Sequence, residues 1–179
     1  MKQIQKLLLL SQGFIISAFA MLSPIYAVFV EKIGGGILAA STASTLYSIA
    51  TGIAVYFLSR WEDRIKHQEK LLRLGYFLSA VGFFGYLFVQ NVYHLFILQV
   101  LLGLSVAIRV PAFDAFYSGS LDHNRRASQW GNWETMAYTV SAIAALAGGF
   151  IATTYGFKSL FVIMFLCSLV AFFFSWKKQ

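Results

Sequence analysis

The stretch FLSRWEDRIKHQEKLL, Phe57 to Leu72, gathers a third of the chain's charge into one short loop. Between its ends stand Arg60, Glu62, Asp63, Arg64, Lys66, Glu69 and Lys70, in a chain of 179 residues with only 14 Lys and Arg and 7 Asp and Glu. On either side the charge disappears. Residues 33–59 and 74–108 carry none, and neither do 7–30, 135–157 or 159–176. A bilayer is crossed by about 20 consecutive apolar residues in a helix, so the charged stretch reads as a polar loop between two membrane spans. A soluble fold is excluded on the same ground. Its helices would be apolar on every face, with charged residues at 12% against about 25% in ordinary globular chains, too few to cover them.

Working outward, the uncharged gaps predict an all-α integral membrane domain of six spans near 7–30, 37–58, 72–90, 94–118, 130–155 and 159–176. The 74–108 gap is divided by a polar turn at Gln90 to His94. Span 1 follows Lys2 and Lys6 and contains Ala18-Phe-Ala20, features of a signal peptide. Its apolar run continues to Val30, too long for the apolar region of such a peptide, so it is read as a retained span. The lone Cys167 lies in span 6 and gives no redox compartment.

The cations fix a direction. Lys2, Lys6, Arg60, Arg64, Lys66, Lys70, Arg73, Arg125, Arg126, Lys177 and Lys178 fall on one face of the predicted topology, and only Lys32 and Lys158 on the other. Basic residues in short loops stay cytoplasmic, which predicts both termini inside, in a cytoplasmic (inner) membrane. The net charge of +7 is thereby accounted for by span-flanking residues and calls for no nucleic-acid partner.

The loop acids are explained differently. SRWEDRIKHQEK at 59–70 resembles the signature between the second and third helices of the major facilitator superfamily: glycine, three residues, Asp-Arg, then a glycine and basic residues. Asp63-Arg64 match, with Lys66 and Lys70 nearby, while Ser59 and Lys66 stand where the family has glycine. Gln99-Val-Leu-Leu-Gly103 resembles the fourth-helix motif of drug–proton antiporters, with Gln99 in place of arginine. Ala144-Ala-Leu-Ala-Gly148-Gly149 resembles the fifth-helix antiporter motif without its proline. The resemblance covers the whole chain as one six-helix half of the family's usual twelve, built as a 3+3 inverted repeat. It implies a secondary transporter of a small solute working by alternating access. It also implies a conformational latch, in which Asp63 meets the start of a helix in the opposite half, near Gln129 to Gly131, and Asp114 pairs with Arg64.

Facilitator halves are parallel repeats about an axis along the membrane normal, so a parallel homodimer of this chain would rebuild the complete carrier. Small residues mark an interface for it: Ala40, Ser44, Ser48 and Gly52 on span 2, and Ser141, Ala145 and Gly149 on span 5, with Ala144, Gly148 and Ala152 beside them. Packing within one subunit is the other reading of these ladders. The only prolines sit in matching contexts, Pro24-Ile-Tyr-Ala-Val-Phe29 and Pro111-Ala-Phe-Asp-Ala-Phe116, at equivalent places of an inverted repeat. Kinks there would serve as opposite gates.

Arg109 is the one cation well inside a span, and a charge there is expensive unless paired or wetted. Asp114 follows five residues later, and Glu134 lies at comparable depth in span 5, so a cluster of Arg109, Asp114 and Glu134 is the candidate for substrate or proton coupling. The alternatives are a static charge cluster, or Arg109 reaching back to the interface. Gln99, and with it Gln12, Tyr26, Tyr47, Trp133 and Tyr138, are candidate cavity residues. A rhomboid-type protease would need Gly-x-Ser-Gly and a histidine in a later span. Tyr117-Ser-Gly-Ser120 is not that motif, and His67, His94 and His123 lie in or beside loops. With no phosphate-binding loop and no metal-ligand cluster, no enzyme, cofactor or metal is expected. A non-transporting membrane scaffold, or a truncated half-transporter, is the remaining alternative.

Overall fold

The computed structural model describes residues 3–62 and 68–176, and the described residues form helices and short turns. α1 (Gln3–Leu22) continues through a single 3-10 turn at Ser23–Ile25 into α2 (Tyr26–Lys32); together they make span 1. α3 (Ile37–Glu62) is span 2, and α4 (Gln68–Gly85), with a 3-10 turn at Tyr86–Phe88, is span 3. α5 (Val92–Ser120) is span 4, opened by Asn91, whose Oδ1 accepts from the Tyr93 and His94 amides at 3.0 Å each. That cap satisfies two of the amides left free at a helix start. α6 (Arg126–Trp176) is broken at Gly156, whose φ of 83° and ψ of 169° are non-helical. Among the described residues five helices are long and apolar enough to cross a membrane, by length and composition. The last of them is the element that Gly156 divides.

Contacts along α1 show what the break does. Gly13 lies near Met136 and Phe14 stacks on Phe174, while Phe29 packs against both Phe157 and Phe161. Residues 136 and 174 thus share a level, on opposite sides of Gly156. The element folds back there as a hairpin, one arm running with α1 and the other against it. A positive φ is the conformation that glycine adopts without a Cβ penalty.

The pairing follows an inverted repeat. The first arm of α6 runs beside α1 as α3 runs beside α5, and the second arm lies against α1 as α4 lies against α5. Where these helices touch, a missing side chain sets the distance. A Cβ on Gly148 would come within 2.1 Å of the Met21 carbonyl oxygen, and one on Gly103 within 2.6 Å of the Tyr47 carbonyl oxygen. On α4, Gly75, Gly82 and Gly85 face Arg109, Leu102 and Leu98 of α5 in register. Ser79 sits in the same seam, its Oγ 3.0 Å from Ser105 Oγ. Close backbone approach of this kind drives helix association where lipid is as apolar as the side chains.

The two prolines behave differently. At Pro24 the helix passes through the 3-10 turn, whereas Pro111 sits inside α5 without ending it.

Candidate functional site

Between α1/α2 and α5 the backbones stay apart, and long polar side chains cross the gap. Gln5 Nε2 donates to the Ser120 carbonyl at 2.8 Å, Arg109 Nη1 donates to Gln12 Oε1 at 2.6 Å, and Gln99 Nε2 donates to the Tyr26 hydroxyl. The partners climb one helix as they descend the other, so the three bridges form a ladder between antiparallel helices. Beside the upper two rungs lies a cavity of about 750 Å³. Its polar lining includes Arg109, Gln99, Tyr26, Tyr47, Ser44 and Ser141, and its apolar wall includes Phe19, Phe83, Leu102 and Met164. Pro24 and Ala145 also reach it.

Arg109 is the centre of this arrangement. It is 93% buried, at 7% exposure, and its Nε is a buried donor without a partner. The guanidinium lies 6.0 Å from the Phe19 ring centroid and 5.9 Å from that of Tyr76, at the limit of cation–π range. Of its five donors, one is engaged by a neutral amide. The Tyr76 hydroxyl, fully buried in the same neighbourhood, also lacks a partner. Placing an arginine at the centre of a membrane helix costs about 2.5–3.5 kcal/mol on insertion scales. The protein bears that cost with no carboxylate hydrogen-bonded to the arginine among the described residues. Such a group attracts anions and strong dipoles, in surroundings that strengthen the attraction.

The backbone helps to hold it there. Gly75 of α4 lies so close to Arg109 that a Cβ would stand 2.6 Å from the Arg109 Cβ and 3.0 Å from its Cα. Gly75 therefore acts as the shelf on which the arginine rests.

The sequence candidates are distributed as follows. Arg109, Gln99, Tyr26 and Tyr47 line the cavity, and Gln12 holds Arg109. Asp114 and Glu134 are exposed; Asp114 interacts electrostatically with Arg109 and Glu134 but neither acid lines the cavity. Arg109 points inward instead of reaching back to the interface. Trp133 packs on Phe113 at 4.7 Å in an aromatic cluster with Tyr117 and Trp130, and Tyr138 is 73% exposed. The small-residue ladders divide: Ala40, Ala144 and Gly148 are buried within the bundle, while Ser44, Ser48 and Gly52 are exposed. A Cβ on Gly52 or Gly149 would meet nothing within 4 Å. Lys70 is exposed at the start of α4, and Asp63, Arg64 and Lys66 lie outside the described residues. Gly75 is not among the sequence candidates. Its signal was available, as Gly75, Ser79 and Gly82 repeat at helical spacing on one face.

Comparison with known proteins agrees with this architecture. The family model described as Major Facilitator Superfamily matches residues 8–178. The multidrug resistance protein MdtG of Dickeya zeae (strain Ech586) is 29% identical over 168 residues, covering 88% of this chain and 40% of its own length. The proton-coupled antiporter flippase LtaA of Staphylococcus haemolyticus (strain JCSC1435) is 27% identical over 146 residues, covering 80% and 36%. Among solved structures, the POT family transporter PepTSo superposes with a TM-score of 0.74 at 16% identity, over 98% of this chain and 37% of that one. The chain thus spans about two fifths of the length of the relatives it matches. The family model reaches from the first span to the end of the last, over a fold shared with a solved transporter, and the chain belongs to the Major Facilitator Superfamily.

Proposed function

We propose that this multi-pass membrane protein is a secondary transporter that carries a small solute by alternating access through the cavity at Arg109. The observation that carries the reading is a buried, incompletely satisfied arginine facing a cavity of about 750 Å³ in a facilitator-type bundle. A purely structural membrane scaffold has no use for that combination. Uptake or efflux by the purified chain in liposomes is the test, and a sealed liposome that moves no solute under any imposed ion gradient would overturn the reading.

The finer parts of the proposal follow from the shape of the bundle. Six crossings, with both ends in the cytoplasm of an inner-membrane protein, fit the cation distribution. One bundle supplies one wall of a pathway, and the open side lies between α3 and the first arm of α6, where Ser44, Ser48, Gly52, Ala145 and Gly149 stand. A second copy, parallel to the first, closes that side, as the two halves of a facilitator are related. Native mass measurement in nanodiscs tests this; a monomer that transports would remove the dimer and leave the carrier. Asp63, Arg64, Lys66, Lys70 and Asp114 form the latch that holds one conformation. Asp114 and Glu134 carry the coupling proton, in line with the name of the LtaA relative. Pro24 and Pro111 are the bends about which the two ends open.

A further inference from the structure

We infer that the solute taken by this cavity is an organic anion with an apolar or aromatic body, its acidic group seated on Arg109. The inference rests on reading the cavity as the solute site and deepens it by naming the substrate class. Four observations converge. Arg109 lines the cavity, is 93% buried, and spends a single hydrogen bond on Gln12, which brings no negative charge. Among the described residues no Asp or Glu lines the cavity, and Asp114, which acts on Arg109 electrostatically, is exposed and makes no hydrogen bond to it, so the arginine is the one charge in the described lining. The Arg109 Nε is a buried donor without a partner, as is the hydroxyl of Tyr76, whose ring lies 5.9 Å from the guanidinium but outside the cavity lining. The rest of the lining is largely apolar, with Phe19, Phe83, Leu102 and Met164 in the wall.

The chemistry that satisfies all four is a carboxylate, phosphonate, phosphate or sulfonate attached to a hydrophobic group. A guanidinium presents a planar fork of donors that pairs with two oxygens of such an acid at once. The amide and phenol of Gln99 and Tyr26, joined to each other across the cavity, offer neutral polar contact further along. A cationic solute would be repelled by Arg109, and a neutral one could accept a hydrogen bond from it but would bring no charge to balance the guanidinium.

The test uses the full chain in phosphatidylcholine nanodiscs and a set of ligands with one aromatic body: phenylphosphonate, benzenesulfonate, benzyl alcohol and benzylammonium. Titration calorimetry is expected to show both anions binding at least tenfold more tightly than the alcohol, with no binding of the ammonium. Two variants sharpen the assignment. Arg109→Gln removes the charge. Gln12→Glu keeps the size of the amide but places a carboxylate against Nη1, neutralising the arginine from within. Each is expected to weaken phenylphosphonate at least tenfold, and a structural role for Arg109 would not make Gln12→Glu do so. If both variants fail to fold, the ligand series on the unaltered chain still decides.

Equal affinity for the anions and the alcohol, preference for the ammonium, or undiminished anion binding by a folded Gln12→Glu would each overturn the inference. Adding phosphatidylglycerol to the nanodisc separates the two sources of an acidic group. Competition with phenylphosphonate assigns the site to a lipid headgroup, and its absence to a soluble solute. Anion binding without transport would fail the carrier reading alone, and transport of neutral or cationic solutes without anion binding would fail this one alone.

Discussion

Two of the seams of α5, those with α4 and with α1/α2, are built on opposite principles. Against α4 it meets Gly75, Gly82 and Gly85, so the two backbones lie close and almost no polar group intervenes except the Ser79–Ser105 pair. Against α1/α2 the backbones approach at few points, and Gln12, Gln99, Arg109 and Tyr26 bridge the gap beside the cavity. A close-packed seam has few alternative arrangements, because its contacts are lost as soon as the helices separate. A seam of long hydrogen-bonding side chains re-forms around water or solute, since a bridging water replaces a direct bond at small cost. Arg109 belongs to both: its Cβ rests on the glycine seam and its guanidinium opens into the polar one.

The largest expected effect comes from spoiling a dry seam. Gly148→Ala sets a Cβ at 2.1 Å from a backbone oxygen of Met21, and a backbone atom cannot rotate away. Overpacking typically costs about 1–3 kcal/mol, and this variant is expected at the upper end. Thermal unfolding followed by labelling of the half-buried Cys167 would report it. Gly75→Ala comes next, with the Arg109 Cβ at 2.6 Å. It is expected to lower stability by about 1–2 kcal/mol and also to reduce transport by displacing the arginine. Gly82→Ala, whose obstacle is the mobile Leu102 Cδ2 at 2.4 Å, is expected to lower stability while sparing transport. If Gly75→Ala and Gly82→Ala impaired transport equally, the shelf role of Gly75 would be lost.

The polar seam is expected to answer in the opposite sense. Replacing both partners of a buried hydrogen bond by apolar residues of similar shape is often nearly neutral or stabilising. The double variant Arg109→Met with Gln12→Leu is therefore expected to unfold within about 1 kcal/mol of the original chain, or later, while losing transport. A large drop in stability would make the arginine a structural fixture. Gln99→Leu is milder. It leaves the buried-side Tyr26 hydroxyl without its donor, at a cost of about 1 kcal/mol, and transport is expected to fall several-fold.

This contrast also explains what the sequence disclosed. Helix positions follow from charge and turn residues along the chain, and the expected division between 130–155 and 159–176 coincides with the non-helical Gly156. Arg109 stood out because a charge is rare at that depth. Its surroundings did not, because Gln12 and Gly75 lie far from it in sequence, and only the rotation of each helix about its own axis brings them together. Depth along the membrane can be counted in residues, but contact cannot: Asp114 interacts electrostatically with Arg109 and Glu134, yet five residues of helix turn a side chain by about 140°, and both acids are exposed and outside the cavity lining. The small-residue ladders show the same limit, since Gly148 and Gly149 are adjacent in sequence and only one of them meets a neighbour.

That last pair gives the finest comparison and the smallest expected effect. Gly149→Ala, like Gly52→Ala, adds a methyl group where nothing lies within 4 Å in the single bundle. Each is expected to change the unfolding of an isolated bundle by less than about 0.5 kcal/mol, and in a helix the alanine is itself slightly favoured over glycine. If this face meets a second copy, the added methyl groups fall at the contact, and self-association in mild detergent is expected to weaken although the fold is intact. Sedimentation of Gly52→Ala with Gly149→Ala, set beside Gly148→Ala, separates the two kinds of glycine. The first variant alters mass without altering unfolding, and the second alters unfolding first. Identical self-association in the double variant and the original chain would mean that these glycines face lipid, and the partner bundle would then have to be sought on another side.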